Sequence, residues 1–334
     1  MRCPQKIRVW RLKCSTLGIM KLIVFLLLVC AIHVPHALAL EAGQGFVSVP
    51  GGPVWYEIMG EGDGIPLLVL HGGPGGTSCG YTRLAPMGAE RPVVRYDQLG
   101  SGRSGRPDDM ALWTVDRFVE GLHTLRYELG LEQMHLLGHS WGGALAAAYV
   151  LEKGTEGIVS LTLSSPLLSS PAWMEDANAL RALLPAEMQQ ALDEHEAAGT
   201  LDHEDYQAAT EEFYRRHVRG GERQAPLEAC AGANSNNVIY EYMWGNTEFN
   251  ATGTLVDFDL TPRLGEIDVP VLLMAGEYDE ARPERMREFQ SLIDGARVEI
   301  IPDAAHGTMS RQTERYIETL SRFLRDSEAD QGSK

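Results

Sequence analysis

Gly138-His139-Ser140-Trp141-Gly142, near the middle of the 334-residue chain, is the stretch that decides the fold. It follows the apolar run 134–137 and precedes the Ala-rich run 143–151, a pattern that predicts a strand, a sharp turn and a helix. In such a turn the middle serine sits on a strained backbone with its hydroxyl above the sheet edge, and the glycines let neighbouring backbone pass without a clash. Ser140 is therefore the candidate nucleophile.

Two groups that a nucleophilic serine needs follow further along the chain. A serine hydroxyl is a poor nucleophile near neutral pH, so it requires a base and a group that orients the base. Residues 269–276 are typical of a buried strand, and Asp279 follows where that strand should end in a loop. Residues 297–301 alternate like a strand, and His306 follows in the next loop. We predict a triad of Ser140, Asp279 and His306, in the chain order of α/β-hydrolases.

Other polar residues near these positions fit a triad less well. His139 adjoins Ser140, but the residue before the nucleophile is expected to point away from the reacting face. Asp303 lies in the same loop as His306, which is typical of a turn residue. In some hydrolases the acid follows the strand after the nucleophile helix, but residues 161–166 contain no carboxylate. Asp279 is therefore the acid both by position and by elimination.

A glycine-rich loop upstream supplies candidates for an oxyanion hole. The buried strand predicted at 67–70 ends in His71-Gly72-Gly73-Pro74-Gly75-Gly76, whose exposed backbone N–H groups can face a developing negative oxygen. We assign the N–H groups of Gly73 and Trp141 to this role. The chain has no H-E-x-x-H motif and no clustered set of His and Asp ligands, so we predict neither a metal nor another cofactor.

Composition and the succession of strands and helices predict an α/β fold. The chain is 44% hydrophobic and 22% charged, which is typical of a soluble globular protein. A hairpin at 46–58 precedes strands that alternate with helices, so we predict a mostly parallel sheet with helices on both faces. The alternation stops at 166–258, which predicts an inserted, mostly helical cap with one weak strand signal at 252–256. The α/β-hydrolase core would comprise 40–165 and 259–326, followed by a frayed tail.

The first 39 residues have the features of a secretory signal peptide. They carry six basic residues and no acidic one, then an apolar stretch at 22–32 and the small-residue motif Ala37-Leu38-Ala39. Met20 begins a well-formed signal of its own, so residues 1–19 are a candidate over-called start. We predict a periplasmic or secreted protein with no stable membrane insertion after cleavage of the leader. The main alternative is an uncleaved leader that anchors the protein to a membrane.

Charge and cysteine usage restrict the partners of the chain. The leader holds six of the 29 Lys and Arg residues and none of the 46 Asp and Glu residues, which leaves a formal net charge of about −23. Such acidity argues against nucleic acid or an anionic surface as a partner. Only Cys79 and Cys230 lie beyond the leader, and either a single disulfide or two free thiols fits the sequence. The oligomeric state is not determined by the sequence.

Several motifs go beyond what a generic hydrolase requires. They are HGGPG at 71–75, YDQLGSGRS at 96–104, GHSWGG at 138–143, GEYDE at 276–280 and the His306 loop. Together they resemble the prolyl aminopeptidases (proline iminopeptidases), including the tricorn-interacting type, over about residues 54–324. The resemblance implies a serine exopeptidase that releases an N-terminal residue, preferentially proline, from short peptides.

The resemblance also implies two glutamates near the cap that hold the free ammonium group of the substrate. One matches Glu280, beside the acid, and the other matches Glu248, while Tyr240 matches an aromatic position near the pocket. A partly buried ammonium group needs carboxylate partners, so such residues suit an exopeptidase. Solvent-facing glutamates are the alternative, and this alternative is stronger for Glu248 because a polar cap contains many exposed acids.

Two other functions remain open from the sequence. An amino-acid amidase or small-acyl esterase would use the same triad, and an esterase would leave Glu248 and Glu280 without an ammonium group to hold. A non-catalytic binding protein on the same scaffold is the remote alternative, because all three triad residues are present. The substrates predicted are short peptides or amino-acid amides with a free N-terminus; neither the preferred residue nor the peptide length can be derived from the sequence.

Overall fold

One eight-stranded sheet runs through the computed structural model, which describes residues 40–225 and 227–331. The predicted leader therefore lies outside the described residues. The strands are β1 (Gly43–Val49), β2 (Gly52–Met59), β3 (Leu67–Leu70), β4 (Val93–Tyr96), β5 (Met134–His139), β6 (Ile158–Ser164), β7 (Val271–Gly276) and β8 (Arg297–Ile301). Their order across the sheet is β1-β2-β4-β3-β5-β6-β7-β8. The pairs β1–β2 and β2–β4 are antiparallel and the other pairs are parallel, which confirms the predicted mostly parallel sheet.

Helices cover both faces of this sheet. They are α1 (Val115–Glu128), α2 (Trp141–Lys153), α3 (Ser170–Arg181), α4 (Ala186–Ala198), α5 (Glu204–Phe213), α6 (Asn237–Met243), α7 (Pro283–Leu292), α8 (Thr308–Arg311) and α9 (Thr313–Gln331). Successive residues of a strand point to opposite faces. In β3, Leu68 and Leu70 pack in a hydrophobic cluster with α1, α2 and α7, whereas Leu67 and Val69 pack in a second cluster with α9. The predicted two-faced α/β architecture is therefore confirmed.

The stretch between β6 and β7 is helical and carries α3 to α6. It has a hydrophobic cluster of its own, which includes Leu192, Tyr206, Phe213 and Phe249. After α5 the chain continues without a break into a π-helical turn, Tyr214–Val218. Because the stretch is inserted where β6 ends, it lies on the connection that follows the carboxyl end of a parallel strand, the edge at which α/β sheets bind ligands.

The weak strand signal at 252–256 is wrong. These residues form turns, because the N–H groups of Thr252 and Gly253 both donate to the carbonyl oxygen of Trp244, each at 2.7 Å. Their backbone therefore packs against the end of α6, and a Cβ on Gly253 would lie 2.4 Å from the carbonyl carbon of Met243. Thr254 and Leu255 likewise donate their N–H groups to carbonyl oxygens of α6, so these backbone donors are not used to pair with a strand.

The predicted frayed tail is also wrong within the described residues, because α9 continues to Gln331. The reason is tertiary: Glu328 pairs with the buried side chains of Arg91 and His135, and Asp326 pairs with Arg297. Buried cationic and imidazole groups need such partners. The core therefore extends at least five residues beyond the predicted boundary at 326.

Cys79 and Cys230 form a disulfide, which decides between the two alternatives that the sequence left open. The bridge joins the segment after the glycine-rich loop to the segment before α6. Close to it, the backbone N–H of Asn236 donates to the carbonyl oxygen of Gly75 at 2.8 Å, and its side-chain amide donates to that of Gly100 at 2.8 Å.

Within residues 40–225 and 227–331, no helix has the length and apolar character needed to cross a bilayer.

Candidate active site

Ser140 occupies the turn between β5 and α2 with φ 57° and ψ −125°, a conformation that L residues rarely adopt. Close contacts require both flanking glycines. A Cβ on Gly138 would lie 2.1 Å from the carbonyl oxygen of Gly142, and a Cβ on Gly142 would lie 2.3 Å from that of Leu70. The glycine-rich loop also approaches closely, since a Cβ on Gly72 would lie 3.0 Å from the Cβ of Ser140. The structure thus has the strained strand–turn–helix that the pentapeptide predicts.

Asp279 and His306 meet after β7 and β8, with 3.0 Å between Oδ1 and Nδ1. The buried Asp279 carboxylate also accepts hydrogen bonds from the N–H groups of Gly276 and Ala281 and, at 2.6 Å, from the Ser165 hydroxyl. Burial alone would raise the pKa of Asp279, but His306 and these donors outweigh it and lower that pKa. Burial alone would lower the pKa of His306, but the Asp279 charge and hydrogen bond outweigh it and raise that pKa. The pair therefore favours an ionised acid and a basic imidazole.

Two side chains that the sequence analysis did not select pack against the His306 ring. The His139 ring lies 4.6 Å from it between centroids, and Nε2 of His139 lies 3.0 Å from the His306 carbonyl oxygen. A carbonyl oxygen can only accept, so this Nε2 carries the proton and donates. Burial lowers the pKa of His139 to about 4, which keeps the ring neutral at ordinary pH. Trp173 of α3 meets the His306 ring edge-on at 5.5 Å.

The expectation that His139 points away from the reacting face is wrong, because its ring packs against the His306 ring. Strands β6 and β7 separate β5 from β8, so the contact depends on the loop after β8 reaching across the sheet edge to the end of β5 and not on the local sequence. The sequence around Trp173 does not indicate a contact with His306 either. An aromatic residue in a cap helix more often only packs that helix onto the core.

A buried amide connects the glycine-rich loop to the residue after the nucleophile. Gln98 donates its N–H to Nε2 of His71 at 2.9 Å and its side-chain amide to the carbonyl oxygen of His71 at 2.8 Å. Its Oε1 accepts from the indole N–H of Trp141 at 2.9 Å. Trp141 is the first residue of α2, so its backbone N–H has no partner within that helix. This network ties the loop of Gly73 to Trp141, which suits the two predicted oxyanion donors.

Glu280 is buried beside His306 without a hydrogen bond to its carboxylate. The residue is 1% exposed, its Oε1 lies 3.8 Å from Nδ1 of His306, and neither carboxylate oxygen has a hydrogen-bond partner among the described residues. Burial raises the pKa of Glu280 well above its usual value, and the charges of Glu248 and Asp279 raise it further. A cation that enters the site would stabilise the ionised form of this buried carboxyl group.

Glu248 is positioned by contacts within the inserted stretch. Its N–H donates to the Tyr214 hydroxyl at 3.1 Å, and its carbonyl oxygen accepts from the indole N–H of Trp173 at 2.9 Å. Burial raises the pKa of Glu248, while His306 and Tyr240 oppose the increase. The Tyr240 hydroxyl is buried, and burial together with the charge of Glu248 raises its pKa well above the usual value. Glu248, Glu280 and Tyr240 therefore lie close enough for each carboxyl group to influence the pKa of a neighbour, and His306 acts on the pKa of Glu248.

The π-helical turn Tyr214–Val218 holds the loops of the site together. The carbonyl oxygen of His217 accepts the N–H groups of both Glu280, at 3.2 Å, and His306, at 3.0 Å. The carbonyl oxygen of Val218 accepts the N–H of Gly307 at 2.7 Å. π-helical turns are rare and occur frequently at functional sites. This element cannot be predicted from the sequence, because its side-chain pattern does not differ from that of an ordinary helix.

Comparison with known proteins agrees with this geometry. A family model described as the alpha/beta hydrolase fold matches residues 65–309, so the chain is an α/β-hydrolase. The proline iminopeptidase of Heyndrickxia coagulans is 41% identical over 283 residues, covering 84% of this chain and 98% of that protein. The crystal structure of the Mycobacterium smegmatis proline iminopeptidase has a TM-score of 0.78 at 36% identity, covering 86% of this chain and 99% of that chain. The chain belongs to the proline iminopeptidase family.

Proposed function

We propose that this protein is a serine exopeptidase that releases an N-terminal residue, preferentially proline, from short peptides or amino-acid amides. The observation that carries the proposal is the buried, unpaired carboxylate of Glu280 beside His306, with Glu248 close enough to raise its pKa. A generic esterase has no need of buried negative charge at the acyl site. An enzyme that recognises a protonated N-terminus needs such a charge, because a carboxylate accepts hydrogen bonds from the ammonium group.

The reaction would proceed in two halves. His306 takes the proton of the Ser140 hydroxyl as the oxygen attacks the carbonyl carbon of the N-terminal residue, and the N–H groups of Gly73 and Trp141 donate to the resulting oxyanion. His306 then gives the proton to the departing amine, and the peptide bond breaks to leave an acyl-enzyme. A water molecule attacks the ester carbonyl as His306 takes its proton, and His306 then returns that proton to the Ser140 oxygen as the ester bond breaks and the free amino acid leaves. Asp279 stabilises the imidazolium formed in each half.

The two glutamates suit an N-terminal proline in particular. The protonated pyrrolidine nitrogen carries two N–H donors, and Glu248 and Glu280 offer one carboxylate acceptor to each. In the free enzyme burial favours the protonated form of Glu280, so binding of an ammonium group would hold it ionised and release a proton. Tyr240 would border the same pocket. The favourable pairing exists only for substrates with a free, protonated N-terminus.

Truncation of either glutamate tests this role. Removing one partner of a desolvated charge pair costs about 2–5 kcal/mol, so Glu280→Ala or Glu248→Ala should lower kcat/KM for proline anilide by tens to thousands of times. Neutral short-chain esters should be hydrolysed at nearly the wild-type rate. The matched control is Glu284→Ala, which removes an exposed glutamate of α7 and should leave both activities unchanged.

A substrate panel separates the peptidase from an amidase or esterase. The wild type should hydrolyse proline anilide faster than alanine or leucine anilide and should reject N-acetyl-proline anilide, because acetylation removes the charge and leaves the scissile bond in place. Equal rates for the acetylated and free substrates, with no loss in either glutamate variant, would show instead that the protein is an amidase or esterase for neutral acyl groups.

We also propose that the protein is exported. The basic and apolar leader and the Ala37-Leu38-Ala39 motif support export, and so does the Cys79–Cys230 bridge, because disulfides persist mainly in oxidising compartments. Mass spectrometry of the mature protein should find Leu40 at or near the N-terminus. An intact Met1 or Met20 in a membrane fraction would indicate an uncleaved anchor, and the same terminus in a soluble cytoplasmic fraction would contradict export.

A further inference from the structure

Away from the triad, the turn between α4 and α5 brings together His195, His203 and Asp205. Each residue offers one potential ligand atom, and these three atoms all lie within 4.8 Å of one another. Two imidazoles and a carboxylate form a donor set that zinc favours. The predicted absence of a clustered ligand set is wrong, because the two histidines lie on either side of a helix–helix turn and meet there. We propose that these three residues bind a divalent transition-metal ion of the zinc class.

The spacing of the donors is close to what a metal requires. Nδ1 of His203 lies 3.6 Å from Oδ2 of Asp205. Two ligands bound at about 2.0–2.1 Å to a tetrahedral zinc ion stand roughly 3.4 Å apart. The His195 and His203 rings are stacked, with 4.1 Å between centroids and 18° between planes. Parallel rings direct their in-plane nitrogen lone pairs in nearly the same direction, so one imidazole would have to turn out of the stack for both to bind a single ion.

Hydrogen bonding already orients the His195 ring. Its Nδ1 lies 2.7 Å from the Thr200 hydroxyl, which leaves Nε2 to coordinate. Metal-bound imidazoles commonly have the second ring nitrogen bonded in this way. Nδ1 of His203 accepts the N–H of Asp205 at 3.3 Å, a long hydrogen bond that a metal ion would replace. The His203 and Asp205 side chains are 47% and 69% exposed, so water can fill the remaining coordination position.

The position of the cluster indicates a stabilising rather than a catalytic metal. His195 lies in the last turn of α4 and His203 caps α5, so one ion would cross-link the two helices. The far end of α5 continues into the turn Tyr214–Val218, which binds the backbone of Glu280 and His306. The metal would thus brace the helix that leads into the active site, while hydrolysis itself proceeds without it. The acidity of the chain favours binding of cations.

Zinc titration of the chelator-treated full-length protein tests the proposal. The variants are His195→Gln, which keeps a group able to bond Thr200, and His203→Asn, which keeps a good helix cap. The control is His123→Gln, an exposed histidine of α1 outside the cluster. The number and affinity of bound Zn²⁺ ions are measured by isothermal titration calorimetry and by competition with a chromophoric chelator.

The wild type and the control should each bind one Zn²⁺ ion. His195→Gln and His203→Asn should bind it at least tenfold more weakly. Thermal melting without zinc should show that both variants fold. If one variant does not fold, the zinc affinity of the other variant is the test. At a zinc concentration of about a hundred times Kd, the wild type should melt roughly 4–5 °C higher and the variants should not. Zinc binding of equal number and affinity in the wild type and the folded variants would overturn the proposal, whatever happens to peptidase activity.

Discussion

Replacing Ser140 with alanine is expected to reduce kcat for proline anilide by roughly 10⁴- to 10⁶-fold, the range seen when a nucleophile of this type is removed. The residual rate would come from substrate binding and the oxyanion donors alone. Alanine keeps the Cβ of serine, and therefore the same backbone strain at φ 57°, so the melting temperature should stay close to that of the wild type. Steady-state kinetics and thermal melting measure the two quantities.

The matched control for this variant is Ser291→Ala, which removes the hydroxyl of an exposed serine of α7 and should leave kcat unchanged. A fluorophosphonate probe should form a covalent adduct on the peptide that contains Ser140 in the wild type and none in Ser140→Ala. A kcat within tenfold of the wild type in the folded variant would mean that another group is the nucleophile.

Replacing Asp279 with asparagine is expected to lower kcat by about 10⁴-fold, because a neutral amide cannot stabilise the imidazolium that forms in both halves of the reaction. The Asp279 carboxylate binds Nδ1 of His306 at 3.0 Å and is itself held by backbone N–H groups and Ser165. Ser165→Ala should cost much less, since it removes one of these donors and leaves the charge in place. Stopped or steady-state assays on one substrate compare the two variants.

The pH dependence of Asp279→Asn gives an independent readout. His306 must be neutral to act as a base, and Asp279 raises its pKa above the usual value. Activity of the wild type should therefore rise with pH through that raised pKa. Without the carboxylate the pKa of His306 falls, so the acid limb of the residual kcat/KM should move to lower pH. An unchanged limb together with a loss below tenfold would exclude Asp279 as the orienting acid.

The candidate triad could be predicted from the sequence because each member follows a strand. The carboxyl ends of parallel strands meet at one edge of a sheet, so residues that follow β5, β7 and β8 converge there even though more than a hundred residues separate Ser140 from Asp279. The strained turn at Ser140 is also local in origin, since the flanking glycines and the adjoining strand and helix specify it. Strand, turn and helix signals of this kind depend on neighbours in the chain.

Other parts of the site depend on pairings between distant segments, and the sequence alone left them open or missed them. Glu248 was known only from the family resemblance, and its place beside His306 depends on Trp173 and Tyr214 of the inserted helices. The contact of His139 with the His306 carbonyl depends on the loop after β8, which reaches past the ends of β6 and β7.

What the sequence by itself determined is the α/β architecture, the turn at Ser140 and the order of the catalytic candidates, because short-range patterns specify strands, turns and helices. Only the tertiary structure decided the Cys79–Cys230 bridge, the full length of α9, the π-helical turn and the cluster of His195, His203 and Asp205. These features require two segments to meet in space, and their energies come from burial and hydrogen bonds that do not exist until the chain has folded.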